Sequence, residues 1–249
     1  MVSDNKTVNG RRPRLSAPDP QFATILVGEG EAQQRFVVHE QPLIQHSRFF
    51  RAALTGDFKE AHDKIVELEE DDPQIFEFFV HWLYFQRFPD HGRAADEGLE
   101  KAWISEGEHG GLGKSGNLIH LYIFADKYHV KNLTTKVIDE LFYHLEDPEI
   151  TLPYDEDIAY AFDHLNKESP LCRLLIDAYS YGGGEDHWIE AEVAQWSNTF
   201  LAGILRRYAR IARGDFSNSR DSGLNLCDYH KHESETERQA CLTEQDERV

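Results

Sequence analysis

The chain has 249 residues, enough for one large domain or for a small domain with an extension, and 15 Phe, 10 Tyr and 4 Trp supply bulky core material. Its 26 basic residues face 45 acidic ones, and the formal charge of −19 argues against nucleic-acid binding, which draws its affinity from cations that neutralise phosphate. No apolar run approaches the roughly 18 residues of a membrane span, and Met1-Val-Ser-Asp-Asn-Lys-Thr-Val8 lacks the apolar stretch of a signal peptide. Cys172, Cys227 and Cys241 are too sparse for a disulfide framework, so an intracellular site, cytoplasm or nucleus, is expected.

Residues 1–20 carry Pro13, Pro18 and Pro20 without periodicity and read as a disordered leader. Its Arg11-Arg12-Pro13-Arg14 cluster is a localisation signal or, more plainly, part of a solubilising tail. Order is expected from Phe22. Phe22–Val27 and Arg35–His39 are β-rich runs joined by Gly28-Glu-Gly30, which predicts a hairpin. Pro42 at a first helical position, followed by Leu43, Ile44, Phe49, Phe50, Ala53 and Leu54, predicts a helix that Gly56 stops. Lys64–Leu68 is a third strand. Asp71-Asp72-Pro73 then caps a helix whose Ile75, Phe76, Phe78, Phe79, Val80, Trp82, Leu83 and Tyr84 are apolar nearly all round, so it forms the centre of the domain.

Residues 86–117 hold seven glycines and scattered apolar side chains and read as an insertion loop. Helical spacing returns with Leu118, Leu121, Tyr122, Ala125 and Tyr128, breaks near His129, and resumes from Val130 to Leu145, predicting a helical hairpin. Asp147-Pro148 and Leu152-Pro153 mark a linker. Two helices are expected beyond it: one started by Ser169-Pro170 with Leu171, Leu174, Leu175, Ala178 and Tyr179, the other from Ile189 to Ala212. From Gly214 the chain is polar and acidic, and 214–249 is expected to be a disordered tail.

Taken in order, Phe36-Val-Val-His39, Leu43…Ser47-Arg-Phe49-Phe50, Ile65-Val-Glu-Leu68 with Asp71-Asp72-Pro73, Phe76…Phe79…Trp82-Leu-Tyr84 and Leu121-Tyr-Ile-Phe-Ala-Asp126-Lys-Tyr128…Val130…Leu133 resemble the BTB/POZ domain, in particular its single-domain fungal forms, over residues 21–145. The resemblance implies an α+β fold, a small β-sheet with a helical cluster, used for self-association and partner binding. Residues 146–213 resemble the α-helical extension of similar chains. Phe22 and Glu40 stand where many family members carry an acidic and a basic residue, so a charged groove between subunits is not implied.

Phe58-Lys59-Glu60 matches the hydrophobic-x-Glu motif by which ligase-adaptor members contact a cullin scaffold. A bulky apolar anchor beside an orienting charge suits an interface hot spot. The bland alternative is that Phe58 packs under its loop and Glu60 is solvated. The leading expectation is a protein-protein interaction module, a cullin-type ubiquitin-ligase adaptor through Phe58 and Glu60; the alternative is a self-associating scaffold, a homo-oligomer with no ligase role.

No catalytic constellation has suitable spacing, and neither catalytic residues nor cofactors are expected. Gly110-Gly-Leu-Gly-Lys-Ser115 fails as a phosphate-binding loop because Glu108 occupies the first glycine position. Cys227-Asp-Tyr-His230-Lys-His232 with Cys241 offers two thiols and two imidazoles, a zinc ligand set, but one residue between the histidines is an unusual spacing. Incidental Cys and His in a disordered tail is the preferred reading, with no metal. His39 is expected to make a structural hydrogen bond, and Cys172, on an apolar stripe, to be a small buried hydrophobe.

Overall fold

The structure, a computed structural model, describes residues 18–105, 112–147, 152–182, 196–213, 224–230, 232 and 234–246. The leader cluster at 11–14, the first two glycines of the 110–115 motif and residues 189–195 of the expected last helix lie outside them. The chain divides into two compact units, Met1–Gln86 and Arg87–Val249. Among the described residues no helix is long and apolar enough to cross a membrane.

The first unit is α+β. Strands β1 (Phe22–Val27) and β2 (Gln34–His39) pair antiparallel with Phe22 opposite His39, and β3 (Ile65–Leu68) joins β1 in parallel, giving the order β2-β1-β3. Gly28 makes the hairpin possible: its φ is +87°, and a β-carbon there would lie 3.2 Å from the Ala32 carbonyl oxygen. The strand period of two sends Ala23, Ile25, Val27, Val38, Val66 and Leu68 to one buried face. Helix α4 (Pro73–Phe85) supplies much of the rest of this core through Phe76, Phe78, Phe79, Trp82 and Leu83. Asp72 caps it by accepting a hydrogen bond from the Gln74 N–H at 2.6 Å, and Pro73 opens its first turn. Aromatic contacts knit the layers, Phe36 edge-on to Phe76 at 4.8 Å and Phe50 stacked on Phe79 at 6.1 Å.

The parallel β3 requires a crossover, which three short helices make: α1 (Glu40–His46), α2 (Arg48–Thr55) and α3 (Lys59–Asp63). The single helix expected over Leu43–Leu54 is therefore two. Ser47 takes extended dihedrals, ends α1, and caps α2 by accepting from the Phe50 N–H at 3.1 Å; the apolar spacing runs through the break and hides it.

In the second unit, the segment expected as an insertion loop contains helix α5 (Leu99–Ile104). Asp96, buried, is held in a bidentate pair by Arg87, with the Nη2–Oδ1 contact at 2.9 Å, and also accepts from the Asp90 N–H. That pairing keeps the Arg87 guanidinium more firmly protonated than usual. Trp103 is buried against Phe88, ring centroids 5.4 Å apart, so one aromatic anchor gives a glycine-rich stretch local order.

Helices α6 (Gly113–Lys127) and α7 (Lys131–Leu145) form the expected hairpin, turned at His129 with φ +54°. Helix α8 (Asp155–His164) was not expected: flanking prolines suggested a linker, while its acidic first turn, Asp155-Glu156-Asp157, is the helix-start signal that mattered. Asp157 is buried beside His120, Oδ1 to Nε2 3.3 Å. Helix α9 (Pro170–Gly182) packs with α10 (Asn198–Ala212) around Tyr179, Trp196 and Phe200, whose rings lie 5.2–5.4 Å apart. Cys172 is fully buried as anticipated, and burial pushes its thiol up.

The stretch expected as a disordered tail folds among its described residues. A short 3-10 turn, Leu226–Tyr229, buries Leu226, Cys227 and Tyr229, and helix α11 spans Glu235–Asp246. Buried apolar residues are few there but well placed, which an average over a polar segment conceals.

Candidate protein-binding surface

The Phe58 turn is built by its neighbours. Gly56 ends α2 where a β-carbon would come within 2.6 Å of the Ala52 carbonyl oxygen, and Lys64 closes α3 in the left-handed region at φ +56°. Between them Phe58 occupies the cap position of α3 in extended conformation, and Glu60 sits in the helix's first turn. Phe58 is 63% exposed and Glu60 half-buried. Phe58 thus does not pack under its loop. The phenyl ring is exposed at the start of a short helix, two residues before Glu60.

A second apolar feature was not singled out from sequence. Val37, Thr24 and Ile65 are partners across β2, β1 and β3 and lie on the sheet face opposite the core. Val37 is 54% exposed and Ile65 41%. Their signal was the strand period itself, which assigns them to the outward face once Ile25 and Val66 are placed inward.

Around the hairpin's end, His39 binds Tyr84: its backbone N–H donates to the Tyr84 hydroxyl at 3.1 Å, and its Nδ1 lies 2.8 Å from the same oxygen. Phe22 lies over the His39 ring at 4.4 Å. His39 therefore has the structural role expected of it. Glu40 is buried and paired with Lys64 Nζ at 3.1 Å, while its Oε1 has no hydrogen-bond partner. The two positions where a charged groove would form hold an aromatic contact and an internal ion pair.

In the second unit, the tail's cysteines and histidines converge. Donor atoms of Cys227, His232 and Cys241 lie within 4.8 Å of one another, and His230 Nδ1 is 3.1 Å from Cys241 Sγ. This is not the scatter that the preferred sequence reading anticipated.

The first unit thus combines a small mixed sheet, a helical crossover that leaves Phe58 exposed, and an outward apolar row. Residues 21–105 match the family model of the BTB/POZ domain, a protein-protein interaction module. No curated protein matches the chain.

Proposed function

We propose that this is a non-enzymatic interaction protein whose BTB/POZ domain docks a cullin-type scaffold through Phe58 and Glu60, as a ubiquitin-ligase adaptor does. The observation that carries the reading is the exposure of Phe58 at 63%, in a fold that buries Phe50, Phe76, Phe78 and Phe79 completely. A large ring kept in water contributes little to the fold and much to an interface that covers it. Glu60, two residues along, fixes the orientation of the partner. The purified chain should retain a cullin N-terminal domain in a pull-down, and a Phe58→Ala/Glu60→Ala variant should not. Absence of binding by the wild-type chain would remove the adaptor role.

A second reading, a self-associating scaffold, is favoured by the Val37–Thr24–Ile65 row on a sheet whose two outer strands are β2 and β3. Light scattering separates the two. A dimer that persists in Phe58→Ala but dissociates in Val37→Lys supports the scaffold, and a monomer at tens of micromolar argues against it.

A further inference from the structure

The tail cluster in the second unit has the makings of a metal centre. Its closest donors are the thiols of Cys227 and Cys241 and the His232 imidazole, and His230 adjoins them at Cys241. Cys227 Sγ and Cys241 Sγ are 3.2 Å apart, and His230 Nδ1 approaches Cys241 Sγ at 3.1 Å. His232 contributes a third kind of observation: its Nε2 is shielded from solvent and has no hydrogen-bond partner among the described residues. A buried imidazole nitrogen without a partner is costly unless something accepts or donates there. A ring nitrogen of His232 lies within 4.8 Å of both sulfurs.

The opposite edge of His230 is equally specific. Its Nε2 lies 2.8 Å from Asp139 Oδ1 on α7, and Lys136 holds the other carboxylate oxygen at 3.1 Å. With the proton on Nε2 and donated to Asp139, the Nδ1 lone pair points at Cys241. This carboxylate–histidine pairing is the arrangement that fixes the tautomer of metal-binding histidines.

Among the described residues α11 buries little. Its first six residues, Glu235 to Ala240, are exposed, while Cys241 and Leu242 are half-buried. A polar helix of about 12 residues is marginal alone in water. Its start is capped, the Glu237 N–H donating to Ser234 Oγ at 3.2 Å, but a cap does not attach a helix to a protein. A cross-link at Cys241 would. The other side of that link is already fastened: Asn225 Oδ1 accepts from the Cys227 N–H at 3.0 Å, and the Tyr229 hydroxyl donates to Asp177 Oδ2 on α9 at 2.8 Å.

We propose that Cys227, His230, His232 and Cys241 form a tetrahedral zinc site, with Asp139 positioning His230, and that the metal clasps α11 and the Leu226–Tyr229 turn to α7. Two nitrogens and two sulfurs suit zinc by softness and geometry, and four protein donors leave no open position, so the site is structural. Zinc–sulfur bonds of about 2.3 Å with tetrahedral angles place the sulfurs about 3.8 Å apart, so the two sulfurs open by about half an ångström around the ion. Both thiols lose their protons on binding, and the two thiolates balance the charge of the dication. A disulfide between Cys227 and Cys241 is the rival; it would leave His232 Nε2 orphaned and give the Asp139–His230 pair nothing to orient.

The test uses the untagged full chain, purified with reductant and supplied with zinc. Elemental analysis should find one zinc per chain after gel filtration, and Cys227→Ser and His232→Ala should lose it. Asp139→Asn should keep the site and bind zinc about 10- to 100-fold more weakly. Because the ligand variants can misfold, cobalt is substituted into the wild type, where the strong visible bands and thiolate charge transfer of a tetrahedral centre are expected. Less than a tenth of an equivalent of zinc, stoichiometry unchanged in both ligand variants, or an octahedral cobalt spectrum would overturn the proposal. So would a Cys227–Cys241 disulfide in chain that was isolated anaerobically without oxidant.

Discussion

Lys64→Gly sets two effects at one residue against each other. Lys64 is in the left-handed region at φ +56°, where a side chain costs roughly 1 kcal/mol, and glycine relieves that strain while giving back about 0.5 kcal/mol through a freer unfolded chain. The backbone balance alone therefore predicts a slight gain. The side chain decides otherwise. Its ammonium donates to Glu40 Oε2 at 3.1 Å and to the Leu54 carbonyl at 3.0 Å, and the Glu40 side chain is only 8% exposed.

Removing one partner of a fully buried pair costs about 3–5 kcal/mol; with Lys64 37% exposed, solvent screening lowers this to about 2–3 kcal/mol. The net expectation is a loss of about 2 kcal/mol, read by urea unfolding of the full chain followed by circular dichroism. Glu40→Gln in the same chain removes the stranded charge and should restore at least half of it. Gln86→Gly, at φ +55° but without a buried charge, should stay within about 0.5 kcal/mol of wild type. A Lys64→Gly chain as stable as wild type, or no rescue by Glu40→Gln, would refute the reasoning.

Phe50→Ala, at a fully buried ring, should destabilise by about 3–5 kcal/mol, whereas Phe58→Ala should cost under about 1 kcal/mol in stability, measured in the same unfolding assay. Covering roughly 130 Å² of the Phe58 ring at an interface is worth about 3 kcal/mol, so calorimetric titration with a cullin N-terminal domain should weaken about 100-fold in that variant. Gly203→Ala places a β-carbon 2.9 Å from Ile176 Cγ1, and nearer still to Cδ1, which should cost about 1–3 kcal/mol on thermal melting and be relieved by Ile176→Ala. Burial lowers the His46 imidazole below its ordinary 6.5, edge-on to Trp82, so the unfolded chain takes up that proton first; stability present above pH 6.5 is lost as pH falls through the folded value. The difference in unfolding free energy between pH 7.5 and 5.5 should shrink in His46→Gln.

The elements legible in the sequence were those with a strong period and local punctuation. β1 and β2 alternate cleanly around Gly28, and α4 carries its own cap in Asp72-Pro73. Ser47 shows the opposite: a capping side chain interrupted an apolar spacing that remained in phase across the gap. Trp103 and Asp96 gave order to a glycine-rich stretch through contacts with Phe88 and Arg87 that no window average weighs. The candidate surface was half legible. Phe58-Lys-Glu60 stood out as a motif, but whether its ring faced water depended on Gly56 and on the left-handed Lys64. The tail was the least legible, because the partner of His230 is Asp139, in a helix far earlier in the chain.

That separation of 91 residues also bears on how the protein is made. The first unit's ties, such as His39 to Tyr84, span at most 45 residues, and its strands and α4 are all available once Phe85 has left the ribosome. Helix α7 has no such luck: at translation speeds of about 5–20 residues per second, Asp139 waits about 5–20 s for His230 to emerge. Through that interval the carboxylate and the neighbouring Phe142, which later meets the Tyr229 ring at 6.0 Å, face solvent or a chaperone. The nascent chain therefore offers quality control a window in which a complete first unit is tethered to an unfinished second one.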